Sequence, residues 1–327
     1  MRALIRIEPQ CCPVLPTDGD LTMMNRSLRL LAVILLSGLA VVWARPWAGS
    51  QAPDTAYVAS FEKWKAEQTA DLKENWLSLA GLFWLKPGVN TFGTAADNAI
   101  VFPKGPAHAG EFDLQGQQVT LKLLPGIGVA IAGKPVTEAK LEPDVSDHVT
   151  RLEMGTLRFH IIVRGERVGV RLRDADSAAA RNFKGMIFFP LDMSYRVTAK
   201  FVPSDGKKTI DVPNVLGDVT PVPIVGVVNF KINGEETHLT AMGGDPAKGL
   251  SFVFNDLTAK TDTYPGGRFL DTDPVSDGQV ILDFNRAYNP PCAVTPYATC
   301  PLAPKENRLT VAIAAGEKFD RAAHNRH

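Results

Sequence analysis

Apolar and polar residues alternate over short stretches along most of the chain, and one stretch repeats at helical spacing. Val58, Phe61, Trp64 and Leu72 recur at roughly helical intervals, while Glu62, Lys63, Lys65, Glu67 and Lys73 fill the other face. This pattern predicts an amphipathic helix over Tyr57–Glu74, with Asp54 or Thr55 capping its start, laid across a β core like a lid or strap. From Trp76 onward the pattern changes to β. Val89–Gly93, Ala99–Phe102, Gly110–Leu114, Gln117–Leu124, Gly128–Ala132 and His148–Glu153 are short, β-rich runs separated by Pro or Gly.

The second half continues in the same way. Leu157–Arg164 and Val168–Arg173 read as a hairpin turned at Gly165-Glu166-Arg167, with Arg171 and Arg173 on one face and Val170 and Leu172 on the other. Strands are expected at Ser194–Val202, Val225–Ile232, Glu236–Ala241, Leu250–Phe254, Val280–Phe284 and Arg308–Ile313, and Asn233-Gly234 carries the type I′ hairpin signal. The predicted fold is mainly β. Two packed β-rich lobes are expected, a sandwich-like one over residues 76–147 and an antiparallel sheet or barrel-like one over 148–318. The helix precedes them at 53–75, and a flexible tail follows at 319–327. The boundary between lobes is placed in the polar, Pro-containing stretch Leu141–Asp147.

The N-terminus has a different pattern. Residues 1–23 show no periodic apolar face, which suggests a mis-assigned start, with translation beginning at Met23 or Met24. Arg26 and Arg29 then precede an uncharged run, Leu30–Val42, about the length of a signal-peptide core. Residues 24–52 are therefore expected to be an export signal or, uncleaved, an inner-membrane anchor over residues 28–47. Either one places the body outside the cytoplasm, periplasmic or secreted, and any membrane contact would run through this segment alone.

Composition narrows the function classes. Thirty-five basic and 35 acidic side chains give a formal net charge of zero. With no basic block, the chain lacks the clustered cations that nucleic-acid binding requires. No G-x-G-x-x-G or P-loop occurs, and the histidines are scattered, so no cofactor and no metal site are expected. Cys292 and Cys300 are an even pair in a chain expected to be exported and are expected to form a disulfide around a short loop.

The densest polar group is Thr263–Leu270 together with Asp283–Pro290. Pro265-Gly266-Gly267 makes a tight turn, after which Arg268 opens a strand and can offer a two-pronged guanidinium to an anion. Val280–Phe284 is a plausible neighbouring strand whose end delivers Asp283, Asn285 and Arg286 into a loop. The ligand-binding candidates are Tyr264, Arg268, Asn285, Arg286 and Arg173, with Asp283 the candidate general acid or base. The same residues admit a purely structural reading, with Arg268 and Asp283 as a buried ion pair. Arg171, Arg173, Asp174, Asp176 and Ser177 form a second group, which either lines the same pocket or is a solvated strand face.

Two resemblances add to this reading. The run Leu85–Gly93 followed by Asn98–Pro103 resembles the opening of a forkhead-associated β-sandwich. No Arg follows Gly93 and no Ser-x-x-His appears, so the resemblance implies a sandwich shape without a phosphothreonine site. Across residues 60–318, the segments Trp76–Leu85, Arg164–Asp174, Phe183–Gly185 with Phe189-Pro190, Thr263–Leu270, Asp283–Cys292, and Cys300–Leu302 through Asn307–Leu309 with Gly316-Glu317 resemble the bacterial DUF1684 family. That resemblance implies a shared fold and site but names no substrate. Three functions stay open: binding of a small polar or anionic ligand, hydrolysis through a carboxylate acid or base, and a structural or interaction role in the cell envelope.

Overall fold

The computed structural model describes residues 52–321. The expectations for residues 1–51, the displaced start and the signal or anchor among them, lie outside the described residues. Among those described, no helix is long and apolar enough to cross a membrane.

The predicted helix forms as α1, Thr55–Asp71, and Asp54 caps it by accepting the Tyr57 N–H at 2.7 Å. Its inward face runs through Tyr57, Phe61, Trp64, Gln68 and Leu72, of which Phe61 and Leu72 are buried. A wider π turn, Leu72–Trp76, ends the helix and is closed by Leu77 N–H donating to Leu72 O at 2.8 Å.

The rest is mainly β. The first lobe comprises β1 (Leu79–Trp84), β2 (Gly88–Gly93), β3 (Ile100–Val101), β4 (Gly110–Gln115), β5 (Gln118–Leu123), β6 (Val129–Ile131), β7 (Lys134–Val136), β8 (Glu138–Leu141), β9 (Leu152–Met154), β10 (Leu157–Arg164) and β11 (Arg167–Asp174). They form two sheets, ordered β1-β11-β10-β9-β6-β7 and β3-β2-β4-β5-β8. Residues from both sheets share one core, in which the rings of Phe92, Phe102, Phe112 and Phe159 pack together. Burying each ring stabilises the fold by about 1.5–3 kcal/mol.

The lobe boundary differs from the one read in the sequence. β9, β10 and β11 belong to the first lobe, because their alternate residues Leu152, Phe159, Ile161, Val170 and Leu172 complete its core. The division therefore falls after Asp174, not in Leu141–Asp147.

The second lobe contains a short helix α2 (Ala178–Asn182) and β12 (Arg196–Pro203), β13 (Thr209–Pro213), β14 (Val219–Pro223), β15 (Gly226–Ile232), β16 (Glu235–Ala241), β17 (Gly243–Asp245), β18 (Gly249–Phe254), β19 (Arg268–Asp271) and β20 (Gln279–Asp283). A four-stranded sheet runs β16-β15-β12-β20, a three-stranded one β17-β18-β19, and β13 pairs with β14. The β15–β16 turn has the expected form, with Asn233 and Gly234 both at positive φ. Arg308–Ile313 is not a strand of any sheet. Its alternate residues Leu309, Val311 and Ile313 are buried as a strand's would be, but the segment hydrogen-bonds to the irregular stretch at Asn255–Leu257.

The polar face of β10 and β11 is turned toward the second lobe. Arg164 Nε donates to Thr299 Oγ1 at 3.1 Å, and Arg167 Nη2 donates to Asp218 Oδ1 at 3.0 Å. Arg171 is only 1% exposed, so the middle of this face is buried, while Arg158 and Arg167 at its ends stay partly exposed to solvent.

Candidate functional site

The predicted site residues do not converge on one pocket. Arg268 is 1% exposed, and its ion-pair partner is Asp256 at 2.7 Å, not Asp283. Arg268 also donates to Ile313 O at 3.1 Å and to Ala315 O. The separation from Asp283 is topological. β19 pairs with β18, which ends beside Asp256, whereas β20 pairs with β12. Tyr264 is buried, its ring edge-on to Phe319 at 4.9 Å. Arg173 reaches the π turn, donating to Asn75 O at 3.3 Å.

Asp283, Asn285 and Arg286 do meet, at the end of β20. The Tyr57 hydroxyl on α1 donates to both Asp283 oxygens, at 2.9 and 3.0 Å. Arg286 Nε lies 3.5 Å and Arg196 Nε 3.7 Å from Asp283 Oδ2. Burial pushes the Asp283 carboxyl up, against the pull of Tyr57, Arg286, Asn285 and Arg196. Asn285 exchanges two hydrogen bonds with the backbone of Asp192, at 2.9 and 3.1 Å, and Arg286 Nη2 donates to Ser60 Oγ at 2.7 Å. The group therefore fastens α1 to the second lobe, and its charges are satisfied by one another.

Cys292 and Cys300 lie together in the hydrophobic cluster around Tyr264, but they are free thiols and no disulfide links them. Cys300 Sγ accepts the Cys292 N–H at 3.5 Å. Burial pushes the Cys300 thiol well up, and Cys292 is lowered by the hydrogen bond from its neighbour. Among the described residues, no group of three His, Cys, Asp or Glu side chains could hold a metal ion.

A different cavity lies under the C-terminal end of α1. Its volume is about 40 Å³, with Gln68, Asp71 and Trp76 on the helix side and Tyr288, Asn289 and Glu317 opposite. Glu317 is 6% exposed, and its Oε2 accepts the Asn289 N–H at 2.7 Å. Burial raises its carboxyl to about 8, against the pull of the Asn289 hydrogen bonds and the Arg268 charge. The Asn289 Nδ2 donates to Lys318 O at 2.9 Å, while its Oδ1 is buried without a hydrogen-bond partner. Tyr288 donates its hydroxyl proton to Asp271 Oδ2 at 2.8 Å.

Local backbone explains why Glu317 is held there. Gly316 has φ +80°, and a Cβ added to it would come within 2.7 Å of the carbonyl oxygens of both Phe284 and Ala287, so only glycine fits. Glu317 N–H then donates to Ala287 O at 2.8 Å, and Lys318 N–H to Ile187 O at 2.7 Å. These bonds thread the Gly316–Lys318 segment between two others and point the carboxyl inward.

Residues 181–318 match the family described as DUF1684, protein of unknown function. An uncharacterized protein of Haloarcula marismortui, solved in solution, is similar at 33% identity. The alignment covers 43% of this chain and 80% of that one, with a TM-score of 0.36. The DUF1684 assignment holds for residues 181–318. The match begins at residue 181, not at 60 as the resemblance in the sequence implied, and so takes in the second lobe and none of the first. Two forkhead-associated domains, one from work on phosphothreonine-dependent interactions and one the FhaA domain in complex, are similar at 19% identity. Each alignment covers 28% of this chain and 92% or 97% of theirs, with TM-scores of 0.20. No curated protein matches the chain.

The Tyr288–Pro291 run and Glu317 lie inside the matched residues and line the cavity, while Trp76, also in its lining, lies outside them. Sequence reasoning missed Glu317 and Asn289. Both stand inside the segments that resemble the family, but neither belongs to a repeating pattern, and the Lys318 that follows Glu317 makes it read as an ordinary surface charge. The available signal was Gly316, which marks a close backbone approach just before a lone carboxylate.

Proposed function

We propose that this protein binds a small polar ligand in the cavity beneath α1, with Asn289 and Glu317 as its polar contacts. The observation that carries this reading is the Asn289 Oδ1, a buried acceptor without a hydrogen-bond partner in a cavity that also holds a buried carboxyl. About 10–15 Å³ suffices for one water, so about 40 Å³ holds a group of two or three heavy atoms. A larger ligand would enter tip first and lift α1. Asn289 Oδ1 and Asp71 are acceptors, which favours a neutral or cationic hydrogen-bond donor over the anion expected from the arginines.

Hydrolysis is the second reading, with Glu317 replacing Asp283 as the acid or base. It is favoured by the Glu317 carboxyl at about 8, close to the pH at which a group both donates and accepts protons readily. The N-terminal pattern of residues 24–52 supports a location outside the cytoplasm, which cell fractionation with an antibody to the second lobe would test.

A thermal-shift screen of small alcohols, amides and amines against the wild type and Glu317→Gln tests the binding proposal. At least one donor should raise the melting temperature of the wild type and lose that effect in the variant. Stabilisation that is identical in both proteins, or no stabilisation by any of the three classes, overturns it.

A further inference from the structure

A larger concavity on the same lobe has no part in the cavity under α1. It is a groove of about 400 Å³ between the Asn255–Lys260 stretch, the Pro265-Gly266 turn and the Leu302–Leu309 stretch. That volume falls within the range of about 300–1,000 Å³ common for small-molecule sites. Its lining is mostly apolar, with Leu257, Pro265, Leu302 and Leu309, and Leu257 is 46% exposed.

Three charged residues line the groove: Asp256, Lys260 and Arg308. Asp256 is cancelled from behind by Arg268. Its Oδ2 takes the guanidinium at 2.7 Å, and its Oδ1 accepts from Thr258 N–H, Thr258 Oγ1 and Ile313 N–H. Lys260 and Arg308 form no ion pair among the described residues. Arg308 makes one long hydrogen bond, from Nε to Ala303 O at 3.4 Å, and the neighbouring Lys305 and Glu306 pair with each other. The groove thus presents two uncompensated positive charges beside an apolar wall.

We infer that this groove binds a small amphipathic carboxylate, its apolar body against Leu257, Leu302 and Leu309 and its carboxylate held by Arg308 and Lys260. Arginine suits this role because its planar fork matches a carboxylate with two parallel hydrogen bonds. The backbone disfavours a phosphate. Three amides along its wall that could cradle one are already used, since Leu257 N–H donates to Val311 O, Ala303 N–H to Gly266 O and Leu309 N–H to Asn255 O. A monoanion with an apolar tail uses both features of the groove, and a bare oxyanion uses one.

The test is calorimetric titration of the full chain with hexanoate, hexan-1-ol and inorganic phosphate. Hexanoate should bind, and the other two should bind at least about tenfold more weakly, since hexan-1-ol lacks the charge that strengthens a hydrogen bond to arginine and phosphate lacks the apolar body. Arg308→Ala and Lys260→Ala should each weaken hexanoate, while Arg308→Lys should restore part of the loss. Both side chains are exposed, so the variants should fold, and circular dichroism checks this. Glu317→Gln should leave hexanoate binding unchanged, which separates this site from the cavity under α1. Equal binding of hexanol, equal binding of phosphate, or no binding of hexanoate would each overturn the inference.

Discussion

Glu317→Gln offers a test that needs no ligand. The Glu317 carboxyl stands at about 8 in the folded chain and at its ordinary 4.5 in the unfolded one. Between those values the folded state holds a proton that the unfolded state has released. Raising the pH therefore favours unfolding: the contribution is complete below about 4.5 and is lost progressively up to about 8. One unit of displacement corresponds to about 1.4 kcal/mol, so raising the pH from 5 to 8 should cost the wild type roughly 3 kcal/mol through this group. Glutamine keeps an oxygen for the Asn289 N–H and does not titrate. Urea denaturation of both proteins at several pH values between 5 and 8 isolates the effect, because Asp283 and every other titrating group is common to the pair. The variant should lose roughly 3 kcal/mol less than the wild type over that interval. Parallel stability curves would mean that Glu317 is ionised when folded, and the proposed acid or base role would fall with it.

The remaining predictions concern the residues singled out from the sequence. Arg268→Ala leaves Asp256 buried without its partner and should destabilise by about 3–5 kcal/mol in the same denaturation assay, and a loss under 1 kcal/mol would contradict the buried pair. Tyr57→Phe removes the hydroxyl that bridges α1 to Asp283, so amide exchange over Thr55–Asp71 should speed up while the first-lobe core stays protected. Unchanged exchange would show that the aromatic contacts of Phe61 and Trp64 hold the helix without it. Alkylation without reductant should leave Cys292 and Cys300 unmodified in the native protein and label both in denaturant, read by mass spectrometry of their peptide. A linked peptide would show that the thiols had oxidised.

Local features were legible in the sequence where they depend on local chemistry. Asp54, α1, the Leu157–Arg173 hairpin and the Asn233-Gly234 turn all follow from residue type and spacing within a few positions. Partner choice was not legible. Alternation placed Val170 and Leu172 on one face, but nothing local says that Phe92 and Phe112 cover it, and so the lobe boundary was read about thirty residues early. The partner of Arg268 was hidden in the same way. Asp256 sits in Asn255-Asp256-Leu257-Thr258, where it reads as a turn cap, and its second oxygen meets the guanidinium only after β18 and β19 pair. Glu317 has an ordinary local setting, and its altered acidity comes from residues far away in sequence.

The roof of the cavity and its floor have different origins. The floor, Tyr288–Pro291 and Glu317, lies inside the DUF1684 match, and the roof, Gln68–Trp76, lies more than a hundred residues upstream of where the match begins. A family defined by residues 181–318 thus describes a bowl without its cover. Changes in the upstream helix would alter the size and polarity of what can be enclosed while leaving Tyr288–Pro291 and Glu317 untouched. A fragment cut at residue 181 would keep the whole family signature while its cavity stood open to water.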